Sequence, residues 1–292
     1  MPRVIVVFNP AADRGRAAQH EDHVVRALKA TGCQPVLWKT ERPGDAVDLA
    51  RRALKEGADA ILAAGGDGTA HEVGQALVGT KVPLGILPIG SGNDYIRVLG
   101  IPKDLGVAAQ IAARTKSVPL DVAEACGRFA LNSMGMGIEG QIAWDYKNMR
   151  VLKGEIGYLY ATLWEVVAFR SFRAEVKGDG WSFSGRLLSV SLMNGPYAGG
   201  GFHLAPFAQV DDGKIDATII GNYPRLARFF ILPKTRDGSY VRLKRVKAHK
   251  ASQVVVQADR ALPVHMDGEL LPERQSRLEV TIRPKALHVL VP

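Results

Sequence analysis

Over the first 120 residues, apolar positions follow a repeating order: a short aliphatic run, then a longer stretch with apolar residues three and four apart. Arg3–Phe8 is a β-branched run ended by Asn9-Pro10 and reads as a buried strand. From about Gln19 to Thr31, Val24, Val25 and Leu28 fall at helical spacing, and Gly32 supplies the stop. The same reading gives a strand at Val36–Lys39, a helix at Gly44–Glu56 and a strand at Ala60–Ala64. Helix Ala70–Val78, strand Leu84–Pro88 and a helix near Leu105–Ala113 complete the alternation, which predicts a parallel sheet with helices on both faces.

After about Asp121 the period changes. Phe129–Ser133, Phe172–Val176, Leu187–Met193, Ile215–Ile220, Tyr240–Lys247, Gln253–Ala258 and Leu278–Ile282 read as short strands separated by Gly, Asp and Pro turns. One helical stretch, around Tyr158–Phe169, interrupts them. This pattern predicts a mainly antiparallel β domain. The expected division is an α/β domain over residues 1–121 and a β domain over 122–284, meeting at a packed cleft. The longest apolar stretch, Ile156–Phe169, is shorter than the ~18 residues a span requires and contains Glu165. Val4–Phe8 is too short for a signal-peptide core, and Cys33 and Cys126 alone make no disulfide framework, so a cytoplasmic protein is expected.

The chain has 292 residues, 47% hydrophobic and 23% charged, which excludes wholesale disorder. Its net charge of +9 is concentrated. Residues 225–250 hold nine basic residues (Arg225, Arg228, Lys234, Arg236, Arg242, Lys244, Arg245, Lys247 and Lys250) against one acid, Asp237. Such a patch suits an anionic surface, and a membrane is favoured over nucleic acid. Leu226, Phe229, Phe230 and Ile231 are apolar neighbours able to insert while the cations meet headgroups. The plain alternative is a solvated sheet edge whose lysines and arginines blunt aggregation.

Two segments carry the main candidate chemistry. Gly65-Gly66-Asp67-Gly68-Thr69 follows a strand and opens a helix containing His71 and Glu72. Glycines allow close backbone approach, and helix-start amides favour phosphate. An acid among them makes sense if Mg²⁺ links acid and phosphate; otherwise Asp67 is simply a helix cap. Pro88-Ile89-Gly90-Ser91-Gly92-Asn93-Asp94 repeats the arrangement after another strand, with Arg97 able to orient Asp94 or reach a phosphate. There is no Gly-x-x-x-x-Gly-Lys-Ser/Thr loop. Gly135, Gly137 and Gly140 form a lone Gly-x-Gly-x-x-Gly in the β-rich half, a weak dinucleotide signal. Asp211-Asp212-Gly213 is a hairpin turn or an oxygen-ligand cation site. His265-Met266-Asp267-Gly268-Glu269 sets two carboxylates about a glycine: ordinary turn acids, or a base with its partner for a hydroxyl-phosphorylating enzyme.

Taken in order, Phe8-Asn9-Pro10, Gly65–Glu72, Pro88–Arg97, Asn132–Gly140, Asn194–Gly213 and Met266–Glu269 resemble the diacylglycerol kinase catalytic-domain family. Within it, the segments resemble in particular the soluble bacterial lipid kinases, which are similar to sphingosine and ceramide kinases. The resemblance implies a phosphofructokinase-like α/β nucleotide domain, then a β-sandwich lipid domain, with residues 285–292 returning to the first. It implies ATP and Mg²⁺ as cofactors and a lipid hydroxyl, most simply that of diacylglycerol, as acceptor. By position it marks Asn9, Thr40, Gly65, Gly66, Asp67, Gly68, Thr69, Glu72, Ser91, Asn93 and Arg97 as nucleotide-site residues. Asp67 and Asp94 become acids around catalytic Mg²⁺. Asp212, with the carbonyls of Gln209 and Lys214, becomes a structural Mg²⁺ site. Glu269 becomes the proton acceptor with Asp267 as its partner, and sequence does not decide between the two.

The basic patch at 225–250 places the expected protein at the cytoplasmic face of the inner membrane, without a nucleic-acid partner, and a homodimer is a further candidate assembly. The chain departs from the family pattern in three places: Ala11-Ala12-Asp13-Arg14-Gly15 replaces the usual Ser-Gly, His71 replaces Asn, and Ser91 replaces Thr. An NAD kinase, which shares Gly-Gly-Asp-Gly, and a non-catalytic nucleotide- or lipid-binding protein are the rival readings.

Overall fold

The computed structural model describes residues 3–114, 116–149, 152 and 154–292. The chain divides into two units, one running to Val122 and including Pro284–Pro292, the other Ala123–Arg283.

The first unit is an open parallel sheet. Strands β1 (Val4–Phe8), β2 (Val36–Lys39), β3 (Ala60–Gly65) and β4 (Leu84–Pro88) lie in the order β2-β1-β3-β4. Every residue of β1, β3 and β4 is buried, as expected of strands covered on both faces. The crossovers are helices α1 (Glu21–Ala30), α2 (Asp45–Lys55) and α3 (Asp67–Leu77), followed by α4 (Asp94–Val98) and α5 (Leu105–Ala113). Helix α2 shows why they pack: Ala46, Ala50 and Ala53 recur on one face and are buried, while its arginines face water. The predicted helix at Gln19–Thr31 is shorter than expected, because a 3₁₀ segment, Ala12–His20, precedes it.

The second unit is mainly antiparallel. It contains β5 (Ser117–Ala125, beginning in the first unit), β6 (Arg128–Ala130), β7 (Ser133–Gly137), helix α6 (Ile138–Asn148), helix α7 (Gly154–Ala168), β8 (Phe172–Gly178) and β9 (Trp181–Met193). After the short ribbon β10 (Tyr197–Ala198) and β11 (Phe202–His203) come β12 (Ile215–Gly221), helix α8 (Arg225–Ile231), β13 (Val246–Ala251) and β14 (Gln253–Leu262). Strands β15 (Val264–Met266), β16 (Glu269–Leu270) and β17 (Gln275–Leu290) close the chain. Long strand β9 pairs with β8 along its first half and with β7 and β12 along its second. Phe172, Leu187, Val190, Ile219, Val254, Val256 and Leu278 lie in the core these strands enclose.

The end of β17 belongs to the first unit, where Val289 pairs in parallel with Leu84 and the Lys285 N–H donates to buried Asp121 at 2.7 Å.

Two predicted strands differ from the structure. Phe129–Ser133 is split, because Leu131 and Asn132 leave the ladder to bond the Asp267 carboxylate. Tyr240–Lys247 begins as a 3₁₀ turn, Ser239–Arg242, and the strand starts only at Val246. Tyr240 is fully buried there and its hydroxyl donates to the Leu204 carbonyl at 2.5 Å, so burial of this one ring sets the local path. Helices α6 and α8 were not anticipated.

The Gly-x-Gly-x-x-Gly segment does run from strand β7 into helix α6, but protein fills the space its glycines leave. A Cβ on Gly135 would lie 2.4 Å from His265 Nε2, and one on Gly140 2.0 Å from the Pro263 carbonyl oxygen. Gly137 has φ +98° and faces the Leu188 carbonyl. These glycines serve close packing.

Candidate functional site

In the first unit the register of the parallel sheet brings the predicted nucleotide residues to one edge. Phe8 pairs with Lys39 and with Ala64, and Gly65 pairs with Pro88. Asn9, Thr40, Gly66 and Ile89 therefore leave the carboxyl ends of adjacent strands together, where open α/β sheets bind ligands. Thr40 is buried and its N–H donates to the Phe8 carbonyl at 2.9 Å. Asn9 accepts the Ala11 N–H through Oδ1 and donates through Nδ2 to Thr69 Oγ1, each at 3.0 Å.

The two glycine turns press against each other. A Cβ on Gly90 would lie 2.3 Å from Gly66 Cα, and one on Gly65 would strike Thr69, so both positions require glycine. Asp67 opens α3, and its carboxylate accepts the Asp94 and Tyr95 N–H groups, each at 3.0 Å. It thereby caps α4 and fixes the second turn against the first. Asn93 has φ +55° and donates through Nδ2 to the Gly90 carbonyl at 2.6 Å. Asp94 is buried, with the Arg97 guanidinium 3.8 Å away. Gly68 lies in the first turn of α3 beside Asp67.

Glu72 is differently placed from a simple phosphate contact. Its carboxylate accepts the Gly44 and Ala46 N–H groups at 3.1 and 3.2 Å, capping α2. Ser91 donates to Asp13 Oδ1 at 2.5 Å. Asp13, Arg14 and Gly15 have φ of 48°, 61° and 83°, three left-handed residues in succession. Asp13 was no candidate in the sequence. Its only signal there was its place in the loop that departs from the family pattern.

In the second unit Asp267 and Gly268, with φ of 50° and 88°, form the tight turn between β15 and β16. Asp267 Oδ2 accepts the Leu131 N–H at 2.7 Å, and Oδ1 accepts those of Asn132 and Ser133 at 2.9 and 2.8 Å. Three peptide donors commit this carboxylate to holding the 131–133 segment. Glu269, on β16, is exposed, with Lys147 Nζ 3.6 Å from its carboxylate. Asn132 and Asn194 extend the network: Asn132 Nδ2 donates to the Tyr197 carbonyl at 2.7 Å and Asn194 Nδ2 to the Leu131 carbonyl at 2.8 Å.

The predicted cation site is engaged by protein. Asp212 accepts the Lys214 N–H at 3.0 Å, and its other oxygen lies 2.5 Å from the Lys250 ammonium, which is 3.4 Å from Asp216. Burial pushes the Asp216 carboxyl up to about 6 against the pull of Lys250. Gln209 is exposed, and the Lys214 ammonium pairs with Asp179 at 2.9 Å. Among the described residues no group of three or more His, Cys, Asp and Glu side chains is arranged to hold a metal. The Lys250 ammonium lies beside both Asp212 and Asp216. Nor, among the described residues, is any helix long and apolar enough to cross a membrane.

An open parallel sheet with apposed glycine turns and acids at its carboxyl edge, continued by a β-sandwich-like domain, is matched by two models of a kinase family. Residues 3–125 match the diacylglycerol kinase catalytic domain, and residues 132–291 the YegS C-terminal NAD kinase beta sandwich-like domain. The chain belongs to the diacylglycerol kinase-like lipid kinase family. It is 29% identical over 276 residues to a diacylglycerol kinase of Bacillus subtilis, covering 92% of this chain and 90% of that one. It is 31% identical over 283 residues to a protein of Pseudomonas syringae pv. tomato named "probable lipid kinase YegS-like", covering 95% and 91%. The fold is that of a diacylglycerol kinase from Bacillus anthracis, with a TM-score of 0.81, 24% identity and coverage of 99% and 97%.

Proposed function

We propose that the protein transfers the γ-phosphoryl group of ATP to the free hydroxyl of diacylglycerol, giving phosphatidic acid. The observation that carries this reading is the apposition of Gly66 and Gly90 at the sheet edge, with Asp67 and Asp94 beside it. The glycine-turn amides, Asn9, Thr69 and Ser91 bind and orient the phosphates, and Arg97 offsets their charge. Asp67 and Asp94, with the Arg97 guanidinium 3.8 Å from Asp94, would offer hard oxygen donors to Mg²⁺ beside the peptide N–H groups that Asp67 already accepts. When bound, the ion would neutralise charge developing on the transferred group.

Of the two acids at the β15–β16 turn, Glu269 is the base, because Asp267 is spent on three peptide N–H groups. The Glu269 carboxylate takes the acceptor O–H proton as that oxygen bonds to the γ-phosphorus. The bond from phosphorus to the β–γ bridging oxygen breaks and ADP leaves. Asp267 positions the segment carrying Asn132. The exposed cations of the 225–250 stretch, without buried Arg228 and acid-paired Lys250, dock on an anionic leaflet, so the protein works as a cytoplasmic enzyme peripheral to the inner membrane surface.

Incubation of the full chain with γ-labelled ATP, Mg²⁺ and, separately, diacylglycerol, ceramide, sphingosine and NAD tests this. Label in phosphatidic acid is expected. Label only in NADP, or in no product despite ATP binding, would overturn it in favour of an NAD kinase or a non-catalytic binding protein.

A further inference from the structure

We infer that the outer face of α7, extended by α8, is an apolar surface that seats the protein in the interfacial region of an anionic bilayer. The inference rests on the lipid-kinase reading only for the choice of a membrane as partner; the surface itself follows from the helices.

Helix α7 is apolar on two sides. Gly157, Ala161, Val166 and, just past its end, Phe169 are buried. On the other side, Ile156, Leu159, Tyr160, Leu163, Trp164 and Val167 recur at i, i+3, i+4, i+7, i+8 and i+11, the spacing of a single helical stripe. All six are exposed, from 42% at Leu163 to 71% at Ile156. A helix on a soluble surface ordinarily turns charges outward. Here Glu165 instead faces inward and is buried.

Helix α8 continues the surface and is fastened to α7 through one side chain. The buried Arg228 guanidinium donates to the carbonyls of Val166 and Phe169 at 3.1 and 2.9 Å and to that of Tyr223 at 3.1 Å. It satisfies carbonyls at the end of α7 and holds α8 against them. Leu226 and Phe230 of α8 are 79% and 75% exposed, and Phe229 is exposed as well. Nine large apolar side chains on two joined helices exceed what scattered surface hydrophobics explain.

Charge selects the occupant. Arg225 lies on α8 and Lys234 in the turn that follows; both are exposed, and the 225–250 stretch they open has Asp237 as its one acid. Cations beside an apolar face complement acidic headgroups. A two-fold contact with a second copy would set this cationic margin against itself. Fifteen residues of α-helix span about 22 Å, less than a hydrocarbon core of ~30 Å, so α7 lies in the interface and does not cross it. Tyr160 and Trp164 are suited to headgroup depth, apolar in body and polar at one edge.

The test is flotation of the full chain with vesicles of phosphatidylcholine alone or with one-third phosphatidylglycerol, comparing wild type, I156S/L159S and R225E/K234E. The expected result is binding to the anionic vesicles that weakens at least about tenfold in either variant, with thermal stability unchanged. Undiminished binding by I156S/L159S would overturn the inference. So would a wild-type dimer in sedimentation velocity that the same variant dissociates, since a second copy would then cover the face. Transfer to a short-chain diacylglycerol dispersed below its micellar concentration is measured in parallel. Its absence in every form would remove the kinase reading and leave the binding result standing.

Discussion

The Asp13 carboxylate is tied to the Ser91 hydroxyl at 2.5 Å, so the loop after β1 is latched to the glycine turn after β4. Hydrogen bonds from Ser91 and Arg16, with the nearby arginine charge, hold the Asp13 carboxyl below the usual carboxylate range, so it is ionised at neutral pH. An anion therefore occupies a hydroxyl and faces a region proposed to receive phosphates. Asp13→Ala should free Ser91, remove a repulsive charge and lower the KM for ATP by roughly three- to tenfold, with kcat little changed. Initial rates over a range of ATP concentrations check this. A raised KM would show that Asp13 helps hold the nucleotide.

Asp267 and Glu269 stand two residues apart and should respond differently to removal of charge. Glu269→Gln is expected to lower kcat by about 10²–10⁴-fold with an unchanged melting temperature, as for loss of a general base. Asp267→Ala strands the Leu131, Asn132 and Ser133 N–H groups and should cost about 2–4 kcal/mol of stability, seen as a shifted denaturation midpoint. If Glu269→Gln destabilised the fold while Asp267→Ala did not, the two roles would be reversed.

Much of the first unit was legible because local and global signals agree there: aliphatic strands, amphipathic helices and turn glycines all specify a parallel sheet, and its edge gathers Asn9, Gly66 and Asp94. What was hidden depends on partners distant in sequence. Nothing in Asp267-Gly268 announces that its carboxylate reaches back to Leu131 and splits a strand. Nothing in Asp212 announces Lys250. In sequence, helix α7 is one apolar helical stretch too short to span, and only burial separates its inward stripe from its outward one. The Gly-x-Gly-x-x-Gly segment is a weak nucleotide signal in sequence, and the packing that requires its glycines depends on the approach of Pro263 and Leu188.

That packing has a direct consequence at Gly140. Its hypothetical Cβ would lie 2.0 Å from the Pro263 carbonyl oxygen, a backbone atom that cannot turn aside like a side chain. Gly140→Ala should destabilise the second unit by about 1–3 kcal/mol, lowering its melting temperature by several degrees. ATP affinity, measured by a fluorescent analogue at a temperature where the variant is folded, should be unchanged. Loss of nucleotide binding from the folded variant would restore this glycine segment as a nucleotide loop.

Beneath the α7 surface, burial and the neighbouring Asp145 push the Glu165 carboxyl up to about 7, against the opposing charge of Arg228. In the unfolded chain the same group ionises near 4.5, its ordinary value. Between these values the native state holds the proton more tightly than the unfolded state. Its stabilising contribution is therefore fully present below about pH 4.5 and is lost as pH rises through about 7. Glu165→Gln keeps a neutral side chain at every pH, so it should remove this part of the pH dependence and raise the melting temperature at pH 8 relative to wild type. Melting curves from pH 5 to pH 8 for both proteins check the sign. An equal fall for wild type and Glu165→Gln would show that the native proton resides on another group, with Asp145 the first to replace by Asn.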